Sequence, residues 1–197
     1  MSQRSQLPKI APYTMQHIDG STLSSLPQRV AYLKAFLDFS SADAAALHAA
    51  KPVVVPLIPQ VLDAVYTKLL SFDITAASFV PRNTGFEGDR EKSTHELTVD
   101  SPQIVIRKDF LKNYLVRLVT ADYESDKTWE YMDQVAVMHT GLPGFKHREK
   151  RPELKVEYIH MGMLLGTVDI GLWWRTLKSV WMCRLCGRYP AIGGTGC

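Results

Sequence analysis

The sequence predicts an all-α protein of six or seven helices, and three observations support that prediction. Between residues 28 and 170, most segments place apolar residues at the three- and four-residue spacing of one helix face. Several of these segments begin with a capping residue or with a proline in the first turn. The pattern typical of strands is almost absent, because the β-branched run 53–55 lies among three prolines.

The first predicted helix covers residues 28–39, where apolar residues fall on one stripe. After it, Ser40 can cap a new helix, with Asp43 at the third helical position as a variant of the capping box. We therefore predict a second helix over residues 44–50.

Pro56 and Pro59 either interrupt that helix or begin the next one, which continues to about Ser71. Residues 73–79 are predicted to form a short helix. Residues 81–100 are rich in Gly, Asp, Glu and Ser, and a loop of this length is uncommon in a compact domain. We therefore expect a mobile loop there.

Three longer helices follow this loop. The first begins at the Ser-Pro pair 101–102 and continues to about residue 118. The second covers residues 125–139 and ends at a Thr-Gly pair. The third is predicted to begin at Pro152, and its apolar stripe repeats as far as Thr167.

Composition favours one globular domain in a chain of 197 residues that is 46% hydrophobic and 22% charged. The net charge of +3 is due to residues 175–197, which contain four basic residues and no acidic one, so that residues 1–174 carry a net charge of −1. A body without a basic face does not indicate a nucleic-acid partner.

All three cysteines lie at positions 183, 186 and 197, so the body contains no disulfide, as is typical of a reducing compartment. A zinc site is disfavoured because a structural site needs four ligands. The start of the chain lacks the apolar core of a signal peptide, and charged residues interrupt the apolar stretch 156–174. We therefore expect a soluble, cytoplasmic protein without a membrane partner.

His139 is the most informative candidate site residue. Ala136, Val135 and Met132 precede it by three, four and seven positions, so its imidazole shares an apolar helix face. A haem iron takes a neutral imidazole as its proximal ligand. The alternative is a core histidine bonded to a backbone carbonyl, and the local pattern leaves both interpretations open.

Four segments, taken in order, resemble the protoglobins, which are single-domain haem proteins related to the sensor domains of globin-coupled sensors. Residues 39–43 resemble the capped entry into the family's long second helix, and residues 61–66 are similar to its "ILDTWY" motif. Residues 107–110 are similar to its "RKRF" motif. Residues 129–139 resemble "WLDYQYEIGLRH", with one residue fewer between Trp and His. The resemblance covers about residues 28–170.

The resemblance implies a globin-like helical sandwich that holds haem b through His139, the proximal ligand of the iron. It also implies that a diatomic gas (O2, CO or NO) binds on the opposite face. Tyr66 would be the distal hydrogen-bond donor, and Phe110 would be a core residue that restricts the sixth coordination position. Val65 replaces a tryptophan that is frequent in the family, which implies a roomier distal pocket.

Two residues of the last predicted helix complete the expected haem-contacting set. His160 and Met163 lie on its apolar stripe. The family position that corresponds to His160 is not the axial ligand, so we expect a histidine of the core or of the pocket edge.

The chain departs from the family at its end, where the family has a long helix over the haem pocket. We therefore divide the chain into an N-terminal extension (1–27), a globin-like haem domain (28–174) and an atypical basic tail with cysteines (175–197). The final helix of the sandwich would then be incomplete or altered. Two other functions remain open, a haem-free helical interaction module and a haem-dependent enzyme that converts NO or peroxide. A homodimer also remains open.

Overall fold

A computed structural model of the chain describes residues 15–166, and over those residues it confirms the all-α prediction. The only β-pairing among them is one isolated bridge, Thr140 with Lys155. The chain divides into two compact units, the first ending at Phe39 and the second beginning at Ser40. The predicted tail (175–197) and its cysteines lie outside the described residues, as does most of the predicted N-terminal extension.

The first unit contains a 3-10 turn, Gly20–Ser24, and helix α1, Leu26–Phe36. The Asp19 carboxylate caps the turn by accepting from the backbone N–H of Ser21 at 2.9 Å. Helix α1 has a proline in its first turn; it begins two residues before the predicted residue 28 and ends three residues before the predicted residue 39.

Helix α2 opens the second unit and extends over Ser41–Leu70. Asp43 Oδ2 accepts from the backbone N–H of Ser40 at 2.9 Å and from its hydroxyl at 2.7 Å. Both bonds run from Ser40 to Asp43, the pair that the sequence predicts as a variant of the capping box. By length and composition α2 could also cross a membrane, but the core helix of a soluble protein passes the same test.

The two separate helices predicted in this region are one helix, so that prediction was wrong. Pro52, Pro56 and Pro59 all lie inside α2. Each removes one backbone donor, but all three side chains are exposed to solvent. The missing backbone hydrogen bonds therefore fall on a solvent-exposed face, where water can bond to the freed carbonyls. For this reason the helix continues through the prolines.

Five further helical elements follow before the last helix. The predicted short helix 73–79 is present as α3 and a 3-10 turn. Of the three helices predicted after the loop, the first two are present as α4 and α5 with nearly the predicted bounds. The elements are α3 (Asp73–Ala76), the turn Ala77–Phe79, α4 (Pro102–Leu118), α5 (Asp126–Met138) and the turn Lys146–Arg148.

The last helix, α6, covers Tyr158–Gly166 and begins six residues later than predicted. The segment before it is extended because its backbone pairs with the residues after α5. The N–H of Gly141 donates to Leu154 O at 3.1 Å, and the N–H of Val156 donates to His139 O at 2.9 Å. This pairing overrides the helix start that Pro152 indicates.

The loop 81–100 is anchored at several points, contrary to the mobile segment predicted from its length and composition. The buried amide of Gln103 pairs with both backbone groups of Glu91, at 2.9 and 3.2 Å. Arg107 donates to Asn83 Oδ1 at 2.8 Å, and Arg148 donates to Asn83 O at 2.8 Å. Buried bonds of this kind are costly to break, so the loop is held to the helices around it.

The hydrophobic core lies where α2, α3 and α4 pack together. Its buried members are Val65, Tyr66, Ala76, Leu97 and Ile104. Leu164 of α6 packs against the same cluster. The core therefore surrounds the second half of α2, which carries two of the predicted site residues.

We expect the Ile104→Ala substitution to lower the free energy of unfolding by about 2–5 kcal/mol, because Ile104 is fully buried and the substitution leaves a cavity. The control is Val105→Ala, which changes the next residue of α4, exposed to solvent, and should cost less than about 1 kcal/mol. Urea denaturation followed by circular dichroism measures both values. Equal losses would show that α4 does not pack through the face that carries Ile104.

Candidate functional site

His139 is the residue at which α5 ends, and a local hydrogen bond orients its ring. The ring Nδ1 lies 2.7 Å from the carbonyl oxygen of Val135, one turn earlier. A carbonyl can only accept, so Nδ1 carries the proton and Nε2 keeps its lone pair. Among the described residues, none bonds to Nε2. A haem ligand and a core histidine would both donate from the ring to a backbone carbonyl, so this bond does not distinguish the two interpretations. The structure adds the tautomer, which is the one that a metal ligand requires.

The backbone around His139 is fixed from two directions. Its carbonyl accepts from Val156 in the extended segment before α6. On the other side, Gly144 has a φ of +65° and lies so close to α5 that a Cβ there would collide with the Gln134 carbonyl and with Met138. Only glycine fits such a close approach, so the turn after α5 is pressed against the last turn of the helix that carries His139.

A cluster of aromatic side chains packs α5 against α4 and against the turn that follows α5. The guanidinium of Arg117 lies 3.8 Å from the centroid of the Tyr131 ring, a cation–π contact. The rings of Phe145 and Tyr114 lie 5.9 and 6.3 Å from the Tyr131 ring. Because Tyr131 is two turns before His139, these contacts set the direction of the helix that presents the imidazole.

Tyr66 lies in the core with only 6% of its surface exposed, beside the equally buried Val65. Its ring packs against the ring of Phe79 at a centroid distance of 5.8 Å. Burial raises the pKa of the Tyr66 phenol to about 12, and the nearby positive charge of Arg107 opposes that rise. No described residue bonds to the hydroxyl. Tyr66 is therefore a neutral phenol with an available donor at physiological pH.

The other predicted site residues lie nearer the surface. Phe110 on α4 is 53% exposed, so the expectation that it is a core residue was wrong. It follows Arg107 by one turn, and the packing of α4 is completed by Ile104 and Leu111 instead. On α6, His160 is half-buried and Met163 is exposed.

The structure thus brings Val65 and Tyr66 into one buried cluster, which α6 joins through Leu164. His139 belongs to a different group of contacts, around the end of α5. Within residues 15–166, no group of three or more His, Cys, Asp or Glu side chains could hold a metal ion.

Sequence reasoning missed the two buried arginines that bond to Asn83. Arg107 is 8% exposed and Arg148 is 7% exposed. A signal for Arg107 exists, since it lies three residues after Ile104 and four before Leu111, on the core-facing stripe of α4. For Arg148 the sequence offers none, because its acceptor is 65 residues away.

Comparison with known proteins gives one match. The family model described as Protoglobin matches residues 26–173. No curated protein and no solved structure matches. The family match confirms the resemblance drawn from the four sequence segments, and with it the globin-like class of the all-α fold.

We expect Tyr66→Phe to make the free energy of unfolding less sensitive to pH between about 10 and 12. In the folded chain Tyr66 keeps its proton up to a pKa of about 12, whereas in the unfolded chain it ionises near 10.0. As the pH rises through this window the unfolded state releases the proton first, so the wild-type chain loses about 2–3 kcal/mol that the variant does not lose.

Urea denaturation at several pH values measures this difference. The control is Tyr158→Phe, which removes a tyrosine that is exposed in the folded chain. If Tyr66→Phe and wild type lose stability in parallel above pH 10, the Tyr66 phenol is not buried as described.

Proposed function

The chain belongs to the protoglobin family, and from that premise we propose that it holds haem b through His139 and binds O2, CO or NO on the side of Tyr66. Membership implies a globin-type domain that binds haem and a gas, in a family of soluble proteins. The observation that carries the assignment of the ligand is the bond from His139 Nδ1 to the Val135 carbonyl, which leaves Nε2 free to bind a metal.

The residues present fit a haem group. His139 offers one neutral imidazole nitrogen, which is the donor that a five-coordinate haem iron takes. Phe110 and Met163 offer exposed apolar side chains of the kind that contact a porphyrin ring, and His160 is a second histidine, one turn before Met163 in α6. When bound, haem would supply an iron that binds a diatomic gas.

His139 contributes more than a nitrogen atom. Because Nδ1–H donates to a carbonyl, electron density on the ring rises and Nε2 becomes a stronger base. The same bond prevents the ring from rotating about its axis, and the Val156 N–H fixes the backbone below it. The chain therefore sets the tautomer and the direction of the ligand before any cofactor binds.

Tyr66 contributes a hydrogen-bond donor in an apolar environment. Its raised pKa keeps the phenol protonated across the physiological range, so the hydroxyl can donate to a ligand that carries partial negative charge. Val65, beside it, is smaller than the tryptophan frequent in the family, and we propose that it leaves more room for the ligand.

The remaining parts of the proposal follow from composition and from the family. We place the protein in the cytoplasm because its cysteines are confined to positions 183, 186 and 197. No residue is assigned a catalytic role, and a homodimer is compatible with the proposal. A haem-free interaction module and an enzyme that converts NO or peroxide are the alternatives. The first is excluded if haem addition gives a Soret band, and the second if NO and peroxide are not consumed.

We expect His139→Ala to weaken haem binding by roughly tenfold or more and to abolish the spectrum of a histidine-ligated haem, because removing a ligand costs at least as much as removing its support. Haem titration of the purified chain, read from the Soret band, measures both effects. His160→Ala is the matched control and should leave the spectrum almost unchanged. A His139→Ala variant with a wild-type Soret band would overturn the assignment.

We expect Tyr66→Phe to speed O2 release by about ten- to a hundredfold, since a hydrogen bond to a charged group is worth about 1.5–3 kcal/mol. CO release should change much less, because bound CO is less polarised. Stopped-flow ligand replacement gives both off-rates. Similar increases for the two gases would mean that the Tyr66 hydroxyl points elsewhere.

A further inference from the structure

Arg107 is a buried cation that lacks a carboxylate partner in the described part of the chain. Its NH1 donates to the Gln103 carbonyl at 2.6 Å, and its NH2 donates to the Asn83 amide oxygen at 2.8 Å. Both acceptors are neutral, and no carboxylate of the described residues acts on the pKa of Arg107, on which the Tyr66 phenol and the Arg90 cation do act. Buried charges are normally paired, so this guanidinium keeps an uncompensated positive charge inside the protein.

That charge and Tyr66 share a neighbour, the ring of Phe79. The guanidinium of Arg107 is 5.4 Å from the centroid of the Phe79 ring, and the Tyr66 ring is 5.8 Å from the same ring. Phe79 thus has the cation and the phenol as its neighbours. The field of Arg107 reaches the phenol, because it opposes the effect of burial on the Tyr66 pKa.

A second guanidinium strengthens the positive potential. Arg90 donates to the carbonyl of Val80, and its Nε is the buried side-chain atom that has no hydrogen-bond partner among the described residues. Its charge is close enough to lower the pKa of Arg107. Arg90 therefore adds a second positive charge close to Arg107, whereas Glu87 of the same loop is exposed and forms ion pairs with Arg82 and Arg151.

We propose that Arg107 makes the Tyr66 side of the site selective for small ligands that carry or acquire negative charge, such as azide, fluoride or O2, over neutral CO. The inference rests on the proposed function, since it concerns ligands that would bind opposite His139. Tyr66 supplies a directional donor, and Arg107 supplies a fixed charge in a medium of low dielectric constant, where charge acts more strongly than in water. Arg107 is thus a specificity-determining residue that acts through its field.

The test compares anionic and neutral ligands on the full chain loaded with haem. Spectral titration gives the dissociation constants of azide and fluoride for the ferric protein and of CO for the ferrous protein. In Arg107→Gln we expect azide and fluoride to bind about tenfold more weakly or worse, as befits the loss of one nearby charge. CO affinity should stay within about twofold of wild type.

Two further variants separate charge from structure. Asn83→Asp keeps the Arg107 side chain in place and sets a carboxylate against it, so it should weaken azide and fluoride in the same direction. If Arg107→Gln does not fold, Asn83→Asp tests by itself whether the charge of Arg107 affects anion binding. Lys112→Gln is the matched control, because it removes an exposed cation from the same helix and should leave all three ligands unchanged.

A haem-free measurement gives an independent readout of the field. In Arg107→Gln the Tyr66 phenol should ionise at higher pH than in wild type, as seen in ultraviolet difference spectra against variants that also carry Tyr66→Phe. If wild-type chain binds no haem, the proposed function fails and this inference fails with it. If haem and CO bind normally and neither Arg107→Gln nor Asn83→Asp changes the dissociation constants of azide and fluoride, only this inference is overturned. Equal weakening of CO and the anions would also overturn it.

Discussion

The path of the second unit depends on how two buried guanidinium groups are satisfied. Arg107 comes from α4 and Arg148 from the turn after α5, and each donates to a different oxygen of Asn83. An unbonded charge in the interior would cost several kcal/mol, so Asn83 has to lie between them. The loop between α3 and α4 is consequently held to α4 and to the turn after α5, although it contains no regular element of its own. Its course is determined by polar groups and not by an apolar stripe.

The parts of the fold that depend on near neighbours in sequence were predictable. The capping of α2 by Ser40 and Asp43 and the end of α5 at His139 both follow from residues within one turn. The start of α6 was not predictable, because the pairing of Val156 with His139 is a contact between separate segments. The continuity of α2 through Pro52, Pro56 and Pro59 depends on which side faces water, and that is decided only by packing.

The candidate site also has features set by near neighbours in sequence and features set by contacts between distant segments. The tautomer of His139 is set within its own helix, four residues apart, so a sequence pattern can indicate it. The environment of Tyr66 is set by residues from α3, the loop and α4, and its raised pKa arises from burial among them. The resemblance to the protoglobins indicated that Tyr66 matters, but neither periodicity nor the family motif pointed to Arg107 as its charged neighbour. Phe110 shows the opposite case, a motif residue whose side chain lies mostly outside the packed core.

The three prolines of α2 also separate two halves of that helix that differ in how easily they open locally. Helix formation is cooperative because each hydrogen bond supports the next, and three missing donors between residues 52 and 59 interrupt this propagation. The half before the prolines can therefore open without drawing the other half with it. The half after them, which contains Tyr66, is secured by the core. Fraying that begins at Ser41 thus stops short of the phenol, and α2 behaves as a rigid segment joined to a softer one.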